Sequence, residues 1–197
     1  MIVLHYTGMR SAADALARLC DPAAEVSAHY MIAPTGQVWQ LVAEDQRAWH
    51  AGAGAWQGRD DMNSRSIGIE LVNTGDHPFP EPQMRQLEVM LARVMAQWSI
   101  AAEQIIAHSD MAPERKEDPG PRFDWRRLAR QGLAFWPEGF GADLPLGESL
   151  DAIGYPLAAP EKRLQAFRFR FLPTAQESET ALDRRRAAQV AAALQAG

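Results

Sequence analysis

His108, Lys116 and Asp118 share the stretch Ala107-His-Ser-Asp-Met-Ala-Pro-Glu-Arg-Lys-Glu-Asp-Pro-Gly-Pro121. One loop thus offers a neutral imidazole, a cation and a carboxylate, and its prolines and glycine stiffen it. Imidazole and carboxylate are ligands that zinc accepts, and a cation beside them can stabilise an oxyanion. A third ligand must come from elsewhere, and His5, in the apolar run Ile2-Val-Leu-His, is the candidate. Each of the three has a plainer reading alone. His5 and His108 fit hydrogen-bonded histidines at strand ends, and Asp118, before Pro119-Gly120, fits a turn. As a set, two histidines and one aspartate form a three-ligand zinc site with the fourth position open, the pattern of catalytic zinc. Magnesium or calcium would want more oxygen ligands, and softer metals would want thiolate.

Hydrolysis at such a site needs a base. Glu70 stands in Ser66-Ile-Gly-Ile-Glu-Leu-Val72, where a carboxylate between apolar neighbours is costly unless it is exposed or employed. The alternation of Ile67, Ile69 and Leu71 against Gly68, Glu70 and Val72 leaves both readings open. His29 (Ser-Ala-His-Tyr) and His50 (Ala-Trp-His-Ala-Gly) fit either ligands or donors in the ligand shell, and His77, in a Pro-rich loop, fits the surface. Trp49 and Trp56 either wall a groove or anchor their loop to the core.

The elements that must hold these residues follow from periodicity. Ile2–Tyr6 reads as a buried strand, and Ser11–Leu19 as a helix with Ser11 as its N-cap. Strands 28–33 and 37–42 flank the hairpin signal Pro34-Thr35-Gly36, and Arg47–Arg59 reads as a loop. A strand at 66–72 is followed by an amphipathic helix at 81–98, whose apolar face is Met84, Leu87, Leu91, Val94 and Trp98. A strand at 104–107 and a helix at 123–134 complete the order. The pattern predicts an α/β fold, a central mixed β-sheet flanked by helices. The Gly/Pro-rich stretch Trp136–Ala142 reads as a linker between a main domain (1–140) and a helical unit (145–197) with helices at 147–153, 161–171 and 177–194. So short a unit folds alone only marginally and must lean on the main domain.

Composition narrows the function classes. The chain of 197 residues is 47% hydrophobic and 23% charged, as globular domains are, and no apolar run approaches a membrane span. A net charge of −5 argues against nucleic acid as a partner, and Arg184-Arg-Arg186 reads as a solvated helix face. The lone Cys20 excludes an internal disulfide and a Cys-rich metal site. It is expected in the core beside Leu16 and Leu19. The first residues carry no secretory leader, so the expected compartment is cytoplasmic, or periplasmic if a leader precedes Met1. A monomer is the default.

Five ordered segments together resemble the zinc-dependent N-acetylmuramoyl-L-alanine amidases of the AmpD-like (type 2) family, related to the peptidoglycan recognition proteins. They are Val3–Thr7, Val26–Tyr30, Arg47–Gly52, Asn63–Leu71 and His108–Pro121. The resemblance covers about residues 1–135. It implies that His5, His108 and Asp118 bind zinc, that Glu70 acts as base and that Lys116 stabilises the tetrahedral intermediate. It places Trp49, His50 and Arg115 along the substrate groove. The implied activity is hydrolysis of the amide between the lactyl group of N-acetylmuramic acid and L-alanine, in peptidoglycan or its muropeptide fragments. A muropeptide recognition protein without catalysis is the alternative. A structural zinc domain is a third reading, and it would need a fourth ligand from His29 or His50. Residues 146–194 resemble a three-helix peptidoglycan-binding domain, with Leu172–Ser178 replacing the usual Gly-rich turn.

Overall fold

The computed structural model describes residues 1–175 and 178–196. Five strands form one mixed sheet in the order β3-β2-β4-β1-β5: β1 (Ile2–Tyr6), β2 (Tyr30–Ile32), β3 (Val38–Gln40), β4 (Ile67–Leu71) and β5 (Ile105–Ala107). Strand β1 runs parallel to β4 and β5 on either side, β2 runs parallel to β4, and only β3 is antiparallel. The register sets His5 beside Glu70 and Leu4 beside both Ile69 and Ala107.

Side chains alternate across a strand, and the two faces of this sheet are covered differently. Ile2, Leu4, Ile67, Ile69, Leu71 and Ile105 point to one face, packed by Met84, Leu87, Leu91 and Val94 of α3 (Glu81–Trp98) and by Trp125 and Leu128 of α5 (Trp125–Ala129). On the other face, α1 (Ala12–Leu19) covers Met31 and Val72 with Ala15, Leu16 and Leu19. At the opposite end Val3 and Ile106 pack with α6 (Leu146–Ile153), α7 (Pro160–Phe171) and α8 (Ala181–Ala196) through Leu150, Phe167, Phe171 and Val190. The helical unit thus shares its core with the sheet. His5 and Glu70, near the carboxyl ends of their strands, open into a cleft between α1 and the 115–118 loop. That end of a parallel sheet is where ligands bind in open α/β folds.

Several boundaries differ from the sequence reading. The hairpin strands are three residues each, and a short helix α2 (Met62–Arg65) follows the 47–59 loop. The helix expected at 123–134 spans only Trp125–Ala129, because Gly132 at φ +70° turns the chain and brings the Leu133 N–H back onto the Leu128 carbonyl. His108 does not end a strand; it begins the one-turn helix α4 (His108–Met111). The last helix starts at Ala181 rather than 177, and Glu177 lies outside the described residues. Trp98 leaves the apolar face of α3 and is exposed, its indole N–H donating to Glu44 at 2.6 Å.

Cys20 is exposed, which corrects the expectation of a core thiol. Helix α1 ends at Leu19 and Cys20 is its C-cap, one position past the half-buried stripe. The Arg184–Arg186 run is not a uniformly solvated face either. Arg186 is buried and donates to the carbonyls of Pro137 and Gly139, so it pins the segment expected to be a linker. Among the described residues no helix is long and apolar enough to cross a membrane.

Candidate metal and catalytic site

Three strand ends and one loop converge on a cleft of about 420 Å³. His5 Nδ1 lies 2.8 Å from His108 Nδ1 and 2.9 Å from Asp118 Oδ2, and His108 Nδ1 lies 3.0 Å from the same carboxylate oxygen. Each residue is buried. The loop is tied to the short helix: the Ser109 N–H donates to the Asp118 carbonyl at 3.0 Å, and the Lys116 N–H to the Ala112 carbonyl at 3.1 Å.

The hydrogen bonds behind the two imidazoles assign their tautomers. His108 Nε2 lies 2.9 Å from the Ala51 carbonyl, which can only accept, so that nitrogen carries the proton. His50 Nε2 faces the Ser66 carbonyl at 3.4 Å, which leaves His50 Nδ1 as acceptor for His5 Nε2–H at 3.0 Å. Both Nδ1 atoms are therefore lone-pair donors. With Asp118 Oδ2 they make three acceptors within 3.0 Å of one another and no proton to share. Such a cluster is repulsive unless a cation sits among it, and a ligating histidine that donates its other N–H to a fixed partner is the usual outer support of a metal.

The charge states agree. Burial, then the neighbouring His108, lowers His5 to about 4, so it is neutral at neutral pH. Burial works against the Asp118 charge, yet the carboxyl stays well below the usual carboxylate range and is ionised at neutral pH. Neutral imidazole and ionised carboxylate are the metal-binding forms.

Glu70 is 9% exposed, and its Oε2 has no hydrogen-bond partner among the described residues. Burial, reinforced by the charge of Asp118, raises it to about 8, with Lys116 acting in the opposite sense. The solvent-face reading of Glu70 thus does not hold, because β4 is covered along its whole length. Lys116 is half-buried at the cleft wall. Its charge reaches both His5 and Glu70.

The residues expected along a substrate groove divide. Arg115 lines the cleft and also clamps the 50–54 loop, its Nε donating to the Ala53 carbonyl at 2.8 Å and its Nη2 to Ala51 and Ala53. Trp49 is 51% exposed and lines an adjoining depression that shares Leu19 and Val26 with the cleft. His50 also lines the cleft, yet it is buried and its Nδ1 backs His5 Nε2 at 3.0 Å. Trp56 anchors its loop, packed edge-on against Tyr155. His29 accepts from the Gly68 N–H and bonds the Gln46 carbonyl. His77 is exposed.

Two supports escaped the sequence. Asn63 Oδ1 accepts from the N–H groups of both His50 and Ala51, at 3.0 and 2.8 Å, and so fixes the loop that braces His5 and His108. Gly68 leaves the space that the His50 ring fills: a Cβ there would lie 2.3 Å from His50 Cγ. The sequence signal for both was the run Asn63–Leu71, in which Glu70 alone had a role.

The chain is 39% identical over 154 residues to N-acetylmuramoyl-L-alanine amidase AmiD of Escherichia coli K12, covering 70% of this chain and 55% of that protein. It is 45% identical over 103 residues to 1,6-anhydro-N-acetylmuramyl-L-alanine amidase AmpD of Enterobacter cloacae, covering 52% of this chain and 55% of that one. It therefore spans about half the length of these curated relatives. The solved complex of Escherichia coli AmiD with anhydro-N-acetylmuramic acid-L-Ala-D-gamma-Glu-L-Lys superposes with a TM-score of 0.88 at 32% identity, over 100% of this chain and 88% of that one. The fold is thus shared through the C-terminal helices. A family model described as N-acetylmuramoyl-L-alanine amidase matches residues 1–121, and the chain belongs to that family.

Proposed function

We infer that this chain is a zinc-dependent amidase that cleaves the bond between the lactyl carbonyl of N-acetylmuramic acid and L-alanine, with anhydro-muropeptides among its substrates. The observation that carries the reading is the pairing of three converging lone-pair donors with a buried carboxylate whose Oε2 has no hydrogen-bond partner among the described residues. The relatives named above, one named for an anhydro sugar and one solved with an anhydro-muropeptide bound, support the substrate class.

His5, His108 and Asp118 would hold the zinc. In that position the metal supplies Lewis-acid polarisation of the carbonyl and brings water into the nucleophilic range near neutral pH. Glu70 accepts the proton as the water oxygen bonds to the carbonyl carbon. It passes that proton to the alanine nitrogen as the C–N bond breaks. Lys116 donates to the oxyanion. Arg115 and Trp49 border the path of the substrate.

The two rival readings lose ground on specific atoms. A recognition protein has no use for the cost of a buried carboxylate without a partner. A structural zinc needs a fourth protein ligand, yet both candidates are engaged elsewhere: His50 Nδ1 by His5, and both ring nitrogens of His29 by backbone groups. The test is incubation of zinc-loaded protein with an anhydro-muropeptide and with intact sacculi, reading free peptide by mass spectrometry. Peptide release that stops with a chelator and returns with zinc is expected. No release from either substrate sinks the reading.

His50 offers a check on the ligand set. His50→Leu removes the acceptor of His5 Nε2–H and should weaken zinc binding about 10- to 100-fold, the usual cost of losing an outer-shell partner. His50→Gln, which can still accept, should recover part of it. Chelator competition measures both, and a leucine variant with undiminished affinity would show that His50 does not hold His5.

A further inference from the structure

Asp110 carries a charge for which the proposed chemistry has no task. It is 0% exposed and sits in α4, two residues after His108. Its Oδ2 accepts the Ala107 N–H at 2.9 Å and so caps the turn that His108 opens. The other bonds come from the C-terminal helical unit. The Tyr155 hydroxyl, just past α6, donates to Oδ1 at 2.8 Å, and Arg170 Nη1 of α7 donates to Oδ2 at 3.2 Å. Tyr155 and Arg170 are buried as well.

This contact is costlier than docking requires. A buried ion pair is seldom more stabilising than apolar residues of the same volume, and the unit already shares an apolar core with the sheet through Leu150, Phe167 and Phe171. What the polar contact adds is direction. Arg170 is itself fixed, its Nη2 on the Phe135 carbonyl at 3.2 Å and its guanidinium 4.3 Å from the Trp125 ring centre. Three donors thus grip the two oxygens of Asp110 and set the orientation of a single helical turn. That turn presents His108, and its Ser109 N–H holds the Asp118 backbone.

We propose that Asp110, Tyr155 and Arg170 are positioning residues through which the C-terminal helical unit sets His108 and Asp118 for the metal, so that the unit is a working part of the metal site. The proposal rests on His108 and Asp118 being metal ligands. A unit that served only to bind cell wall would need no buried polar contact with the helix that carries a ligand.

The test compares Tyr155→Phe and Arg170→Met with a control, Phe167→Leu, in the full chain. Phe167 is fully buried in the same unit and does not bond Asp110. Zinc affinity is read by chelator competition, the visible absorption of the cobalt-substituted protein reports ligand geometry, and Tm reports stability. Tyr155→Phe and Arg170→Met should weaken zinc about tenfold, the lower end for outer-shell partners, and change the cobalt band. Phe167→Leu should lower Tm and leave affinity and band unchanged. If Arg170→Met fails to fold, Tyr155→Phe, which loses one hydroxyl, decides. Wild-type affinity in Tyr155→Phe, or an equal loss in Phe167→Leu, overturns the proposal and leaves the amidase reading standing. A wild type that binds no zinc overturns both.

Discussion

Glu70→Gln is expected to lower kcat by about 10²- to 10⁴-fold, the range for loss of a general base, with one equivalent of zinc still bound. The substitution keeps shape and polarity in a strand that is buried along its whole length, so the fold is retained. It removes the one property the site needs, a carboxylate able to take a proton and give it back. The environment tunes that property. Burial first, and the Asp118 charge second, raise the Glu70 carboxyl to about 8, far above an exposed glutamate. A cation held by His5, His108 and Asp118 would act in the opposite sense and favour the ionised form, the one that works as a base.

The sign of the pH dependence follows. The base form is the ionised one, populated above the pKa. Raising pH through that value should therefore raise kcat/KM to a plateau, and lowering pH should protonate Glu70 and switch catalysis off. In Glu70→Gln the acid limb due to this group should vanish along with most of the rate. A pH–rate profile of wild type and variant, with zinc content measured in each, checks both statements. A variant with near-wild-type turnover removes Glu70 from the mechanism.

The candidate metal cluster was legible because chemistry-bearing residues stood where apolar strands ended. His5 closes Ile-Val-Leu and His108 follows Ile-Ile-Ala, and parallel strands bring like ends together. Glu70 was ambiguous for a physical reason. Alternation distinguishes an inner from an outer face only where one face is wet, and β4 has both faces covered. His50 illustrates a different limit. Its motif placed it along the cleft, but that its ring also backs His5 depends on the space left by Gly68, contributed from 18 positions away. The contacts of Asp110 with Tyr155 and Arg170 span 45 and 60 residues, and no local pattern encodes them. Cys20 and the 123–134 helix failed at the ends of elements, where one glycine or one residue of helix phase decides burial.

Lys116→Met should lower kcat by about 10²- to 10³-fold, the cost of removing one oxyanion donor, while KM changes little. Lys116 stands between two fixed points. Arg115 before it is clamped to the Ala51 and Ala53 carbonyls, and Asp118 after it belongs to the ligand cluster. Its own N–H is held by Ala112 at 3.1 Å. The backbone is therefore anchored where Lys116 lines the cleft. A point charge on a flexible stem suits an oxyanion that forms only in the transition state. Methionine keeps the stem length and the packing and deletes the charge. Arginine keeps the charge but spreads it over a planar fork that needs a different approach, so Lys116→Arg should recover only part of the rate. The split between constants is what discriminates. An interaction made only in the transition state lowers kcat and kcat/KM together, whereas a ground-state contact to a substrate carboxylate raises KM at constant kcat. A Lys116→Met variant whose kcat stays within about threefold while KM rises would make Lys116 a substrate-binding group and leave stabilisation of the intermediate to the metal alone.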